Sequence, residues 1–266
     1  MGELVFVGLG LHDELGISLR GLEEAKTSDK VFIELYTSLM PDFSTERLEQ
    51  ILGKRITIVS RKTLEEKSRE TIVRAAESEK VAVLVPGDPL IATTHVALRI
   101  EAEKLGVKTR LVHGSSILSA VMGLTGLHSY KFGKSVTVPF PDENPSETPY
   151  EVITQNRGNG LHTLCFLDMK AEENRYLSIL EALNSLLEID KRKGKASVTP
   201  ETLAVGVARA GSTEPVVKAG SVEELLRYDF GKPPQSIVFP GKLHFMEAKA
   251  LTVFAKAPET LKEEAL

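Results

Sequence analysis

The chain has 266 residues, 42% of them hydrophobic and 26% charged, and a formal net charge of -4. That balance supports packed cores in one large or two small domains and excludes general disorder. The acidic excess argues against a duplex nucleic-acid binder, which carries a basic stripe. One cysteine, Cys165, permits no internal disulfide and suits a reducing cytoplasm. It lies in the apolar run Leu164–Leu167, so buried packing is expected rather than nucleophilic chemistry. No apolar run approaches the roughly 20 residues of a membrane helix. The opening MGELVFVGLGL lacks a basic flank and is expected to form a first strand rather than a signal peptide, which places the protein in the cytoplasm.

Over residues 1–113, apolar runs alternate with amphipathic ones. Strands are expected at Leu4–Val7, Val31–Leu35, Ile56–Val59, Val81–Val85 and Lys108–Val112, and helices at Leu19–Lys26, Glu46–Leu52, Leu64–Glu77 and Val96–Lys104. Continuous hydrophobicity fits a mostly parallel, doubly wound sheet covered on both faces. Thr63-Leu64-Glu65-Glu66 has the pattern of a capping box, and Gly106 suits a left-handed helix cap. After a short helix Ile117–Gly123, residues 114–266 read as a second α/β domain with a mixed sheet. Pro139, Pro141, Pro145 and Pro149 mark an exposed polar stretch that is neither central strand nor helix interior. Strands follow at Thr163–Leu167, Leu203–Ala208, Pro215–Lys218 and Ser236–Phe239. A helix is expected at Glu173–Ile189 and another at the cap Ser221-Val222-Glu223-Glu224. Asp190–Lys195 reads as a solvated loop and Lys262–Leu266 as a frayed tail.

The chemically loaded positions are strand ends, where open α/β sheets hold ligands. Gly8-Leu9-Gly10-Leu11 follows the first strand, but Asp13 stands where a dinucleotide fingerprint needs a small residue, so that reading is rejected. Pro86-Gly87-Asp88-Pro89 puts a carboxylate on a tight turn, and Thr93-Thr94-His95 opens a helix whose free N–H groups favour an anion. A zwitterionic ligand satisfies both. His113-Gly114-Ser115-Ser116 ends the next strand. Ala208-Arg209-Ala210-Gly211-Ser212 and Pro240-Gly241-Lys242-Leu243-His244 repeat the theme in the second half, which suggests a cleft between two domains. No two of the six histidines are spaced as a metal pair, so no metal is expected. There is neither a Gly-x-Ser-x-Gly elbow nor a Walker lysine.

In order, VGLGL, Glu34-Leu35-Tyr36-Thr37-Ser38 and PGDPLIATTH resemble the tetrapyrrole-methylase fold, a family of two-domain enzymes that bind S-adenosylmethionine in the interdomain cleft. YTS, PGDPLIATTH, GLHSYKFGKS, FLDMKAE, ARAGS and PGKLH are similar, more narrowly, to the archaeal diphthine synthases, over Leu4 to about Ala257. The resemblance implies repeated methyl transfer to the amino group of a 3-carboxy-3-aminopropyl substituent on a histidine of translation elongation factor 2, on the route to diphthamide. It implies a homodimer and S-adenosylhomocysteine as co-product; eukaryotic relatives are associated with an extra methyl ester and archaeal ones with three methyl groups, and three is the expectation. It also implies cofactor contacts at Leu11, Asp88, Ile91, Ser116, Ile117, Leu167, Ala210 and Gln235, the last through its backbone. No catalytic residue is assigned, since in-line methyl transfer depends mainly on alignment and a base such as Asp88 or His95 is optional. Tyr36, Tyr130 and Phe140 offer ring faces to a growing trialkylammonium, with ordinary packing the simpler role for each. The competing readings are a precorrin-type C-methyltransferase, a ribosomal RNA methylase and a non-catalytic S-adenosylmethionine sensor.

Overall fold

The structure is a computed structural model and describes residues 2–143 and 145–261. The chain divides into two compact units, 1–117 with 171–173, and 118–170 with 174–266.

The first unit is built from β1 (Glu3–Gly8), α1 (Leu19–Thr27), β2 (Lys30–Ile33), α2 (Thr45–Leu52), β3 (Thr57–Ile58), α3 (Arg61–Glu66), α4 (Arg74–Ala76), β4 (Lys80–Val85), α5 (Val96–Lys104) and β5 (Lys108–Val112). Its sheet has the order β3-β2-β4-β1-β5, and every pairing is parallel. Alternate residues of β1 serve opposite faces. Leu4 and Phe6 pack with Leu64, Ile72 and Leu98, whereas Val5 and Val7 pack with Ala25, Leu48 and Leu52. Both faces are therefore covered, as the apolar runs predict.

Three local expectations are corrected here. The capping residue of α3 is Ser60, whose hydroxyl accepts from Thr63 N at 3.2 Å, so Thr63 lies inside the helix instead of starting it. The helix expected at Leu64–Glu77 is broken into α3, a π-type turn at Arg69–Val73 and the short α4. β2 stops at Ile33 because the Glu34 side chain accepts the N–H groups of Tyr36 and Thr37 and turns the chain. Gly106 adopts φ 81°, the left-handed geometry its position requires.

The second unit starts within α6 (Ile117–Thr125). It continues through β6 (Val136–Val138), α7 (Thr148–Gly158), β7 (Thr163–Leu167), β8 (Met169–Lys170), β9 (Arg175–Tyr176), α8 (Ile179–Lys193), β10 (Leu203–Ala208), β11 (Val216–Ser221), α9 (Val222–Leu226), β12 (Gln235–Phe239) and α10 (Phe245–Ala255). Its sheet, β11-β10-β12-β7-β6, is mixed: only β6 and β7 run parallel. The proline-marked stretch is exposed at Pro141, Asp142, Glu143 and Pro145, as expected, but its two ends are not. Phe140 and Tyr150 are buried, β6 precedes it, and Pro149 sits in the first turn of α7, where its missing N–H costs no hydrogen bond. α8 begins at Ile179 because Ser178 and Glu181 form a capping box. It also runs on through Lys193, so most of the Asp190–Lys195 run is helix, closed by Gly194 at φ 65°. Lys191, Arg192 and Lys193 stand in its last turn, where the helix dipole favours cations. The expected tail at Lys262–Leu266 lies outside the described residues.

Candidate functional site

In the first unit β1 lies between β4 and β5, so three parallel strands end side by side. The backbones beyond them touch. Gly10 N donates to Gly87 O at 3.2 Å, and Gly87 N donates back to Gly10 O at 2.6 Å. A Cβ on Gly8 would stand 2.5 Å from Gly114 N and 2.6 Å from Gly87 O, and one on Gly114 would stand 2.3 Å from Gly87 O. No side chain fits at either position, so the three strand-end loops are held in direct backbone contact. The Asp13 side chain caps the next turn, accepting from Leu15 N at 3.0 Å, which gives that residue a local role away from any pyrophosphate.

On these loops sit the first five candidate residues. Leu11 follows Gly10 and is half-buried. Asp88 follows Gly87 and is buried; Oδ1 accepts from Leu90 N at 3.2 Å and Oδ2 is 2.8 Å from His113 Nδ1. Two donors leave lone pairs of the carboxylate free for a ligand. His113 itself is exposed, with 75% of its side chain accessible. Ile91 is exposed, Ser116 is buried and Ile117 opens α6. Between Ile91 and α5 the chain passes through Ala92 at φ 56°, a left-handed conformation unusual for alanine. The expected helix opening at Thr93–His95 comes slightly later, at Val96, and no side chain caps it.

Next to these loops His95 and Tyr36, both singled out in the sequence, meet Glu34 in a buried cluster that no local pattern announces. Glu34 is fully buried, and His95, at 2% exposure, brings Nε2 to 3.2 Å from its Oε1. Tyr36 packs edge-on against His95 and carries the Arg61 guanidinium 5.3 Å above its ring. Among the described residues its hydroxyl is buried without a partner, and burial pushes its pKa upward. One face of the ring is thus covered by arginine. His95 also borders a 780 Å³ groove along α5, lined among others by Leu64, Glu65 and Leu98.

In the second unit the other three candidates share one end of the sheet. Gln235 starts β12 opposite Ala208, Ala210 lies just past the end of β10, and Leu167 ends β7, whose Phe166 pairs with Ser236. The Gln235 side chain is occupied: Oε1 accepts from Ile179 N at 2.8 Å and Nε2 donates to Gly231 O at 2.7 Å. Tyr130 is 77% exposed, while Phe140 is buried with the Arg175 guanidinium 4.0 Å above its ring. Phe140 is therefore a packing residue with its own cation. Cys165 is fully buried, and burial pushes its thiol pKa upward, as its apolar run predicts. Among the described residues no cluster of three or more His, Cys, Asp or Glu is placed to hold a metal, and no helix is long and apolar enough to cross a membrane.

Residues 3–226 match the family model of tetrapyrrole (corrin/porphyrin) methylases. A diphthine synthase of Methanosarcina mazei is 48% identical over 98% of both chains. One of Methanocaldococcus jannaschii is 45% identical over 93% of this chain and 97% of its own. The crystal structure of a diphthine synthase superposes with a TM-score of 0.89 at 46% identity, covering 98% of each chain. With the glycine-apposed strand ends, the parallel and mixed sheets, and this likeness over nearly the whole length, the chain belongs to the tetrapyrrole methylase family, among its diphthine synthases.

Proposed function

We propose that this methyltransferase moves methyl groups from S-adenosylmethionine to the amino group of the 3-carboxy-3-aminopropyl histidine of translation elongation factor 2. The products are diphthine and S-adenosylhomocysteine. The observation that carries the reading is the 48% identity to a diphthine synthase across 98% of both chains.

The strand ends of the first unit suit such a donor. Gly8 and Gly114 keep side chains out of the loop junction, and Asp88 retains acceptor capacity for an ammonium or ribose hydroxyls. When bound, S-adenosylmethionine supplies an electrophilic methyl group on a positively charged sulfur. Leu11, Ile91, Ser116 and Ile117 would contact it from the first unit, and Leu167, Ala210 and the Gln235 backbone from the second. The Gln235 side chain, bonded to Ile179 and Gly231, holds that backbone in place. The chain's contribution to rate is then alignment of the acceptor nitrogen with the methyl group and exclusion of water. The attacking amine is neutral. The first and second transfers each release one proton from nitrogen; the third, onto a tertiary amine, releases none. The same proposal comprises a homodimer in the cytoplasm whose partner is elongation factor 2, with no direct nucleic-acid contact and no metal.

Intact-mass measurement after incubating the purified protein with S-adenosylmethionine and elongation factor 2 bearing the unmethylated substituent tests this. The expected gain comes in steps of one methyl group, ending at three. An unchanged mass contradicts the proposal.

A further inference from the structure

Glu34 stands just beyond the carboxyl end of β2 with no solvent exposure. Its Oε2 accepts from Tyr36 N at 3.0 Å and Thr37 N at 3.1 Å, and its Oε1 accepts from the Thr37 hydroxyl and faces His95 Nε2 at 3.2 Å. The first three bonds shape its own turn. The fourth reaches the far end of the loop that begins at Asp88 and carries Ile91. That loop includes the left-handed Ala92, a conformation that persists only where surrounding bonds hold it. Some of these bonds are internal, from the Thr93 hydroxyl to Pro89 O at 2.7 Å and from Ile91 N to Asp88 O at 3.3 Å. Two reach other elements: the exposed bond from the Thr94 hydroxyl to Glu65 Oε1 at 3.0 Å, and the buried one between His95 and Glu34. With both side chains buried, losing the bond leaves a polar group in a low-dielectric setting, which is costly.

We propose that Glu34 is a positioning residue: through His95 it presets the loop 88–95, and with it the donor-binding face of the first unit, before any ligand arrives. This rests on the reading of those strand ends as the donor site. Glu34→Ala removes all four acceptor contacts. Glu34→Gln preserves the shape and leaves one oxygen for the Tyr36 and Thr37 amides. Its nitrogen then faces two groups able to accept: the Thr37 hydroxyl, and His95 after its ring proton moves to Nδ1. Gln is thus a rescuing substitution and Ala is not.

The test uses the full chain in four forms: parent, Glu34→Ala, Glu34→Gln and Leu52→Ala. Leu52 is buried on the opposite face of the sheet and serves as a control for lost stability alone. Two readouts are taken: calorimetric titration with S-adenosylhomocysteine, and amide hydrogen exchange without ligand. In Glu34→Ala the Kd rises on the order of tenfold or more, and exchange accelerates at Tyr36, Thr37 and across 91–95. Glu34→Gln recovers most of both, and Leu52→Ala keeps the parent Kd despite a lower unfolding midpoint. Should Glu34→Ala not fold, His95→Ala cuts the same link from the other side. It is expected to speed exchange across 91–95 while Tyr36 and Thr37 stay protected. Unchanged exchange across 91–95, or a Kd within about twofold of the parent, overturns the proposal. A parent that binds no S-adenosylhomocysteine would sink the donor-site reading instead, and the exchange data would still decide the role of Glu34.

Discussion

Each unit buries a glutamate bonded to a histidine, and the two surroundings differ. In the first, Glu34 draws its donors from two amides and a hydroxyl of its own turn plus His95; among the described residues no lysine or arginine bonds it. In the second, Glu247 lies in the first turn of α10. It accepts from the amides of His128 and His244 at 2.8 Å each, from Lys131 Nζ at 2.5 Å and from His162 Nε2 at 2.9 Å. His162 Nδ1 accepts from Gly241 N at 2.9 Å, which assigns the ring proton to Nε2. Burial alone would raise the Glu247 pKa, but these donors outweigh it and pull it down to about 2. Burial lowers the pKa of His162 against the pull of Glu247. One carboxylate thus ties together the GLHSYK and PGKLH segments and holds a charged pair in the core. Its counterpart in the first unit shapes the loops beside the candidate donor site. The same residue pair thus serves stability in one unit and loop geometry in the other.

The largest effect should come from Glu247→Ala, which strands the buried His162 N–H and the His128 and His244 amides and leaves the partly buried Lys131 only the Lys242 carbonyl; about 3–5 kcal/mol of unfolding free energy is expected to be lost. Urea titration measures it, and a loss below about 1 kcal/mol would erase the contrast between the units. Next come two equally crowded glycines. A Cβ on Gly114 meets Gly87 O at 2.3 Å, and one on Gly241 meets Gly160 C at 2.5 Å. Alanine at either should cost about 1–3 kcal/mol. Only Gly114→Ala should also weaken S-adenosylhomocysteine binding, by tenfold or more on the order-of-magnitude scale of lost polar contacts. Equal affinity losses from both would blur the division of roles.

The most gradual effect is in pH. A histidine whose folded pKa lies below its unfolded value of 6.5 loses stability as pH falls through 6.5, because the unfolded chain takes up the proton first. Glu247, lowered from 4.5 to about 2, extends the loss with the same sign as pH falls from about 4.5 to about 2. Each group contributes a slope of at most about 1.4 kcal/mol per pH unit. Glu24 of the first unit, bonded first of all by Arg110 and lowered to about 2, adds to the acid end. Glu247→Gln should therefore flatten, and not abolish, the decline of the denaturation midpoint below pH 4.5.

The first unit was largely legible because its strands are buried on both faces and its glycines sit at strand ends, where turn chemistry is local. Gly8, Gly87 and Gly114 could be read as turns; that they touch one another could not, since the contact joins three separate strands. Glu34 stood in plain view within ELYTS, yet its partner is 61 residues further on and nothing local signals the bond. In the second unit α7 was missed because four prolines read as breakers, although Pro149 occupies the one helical turn that tolerates it. α10 was missed for a different reason. PGKLH marked its start, but Phe245, Met246, Val253 and Phe254 place apolar side chains on its exposed side as well, which removes the amphipathic period. Capping residues decided the remaining boundaries, Ser60 and Ser178 each moving a helix start by several residues.

A crystal structure of the protein grown with S-adenosylhomocysteine is the sharpest check on the proposal that the joined strand ends after β1, β4 and β5 hold the methyl donor. Density for the co-product is expected against Leu11, Asp88 and Ser116, with the Asp88 carboxylate within hydrogen-bonding distance of its polar atoms. Density at another place, or none at these loops under saturating ligand, would contradict it.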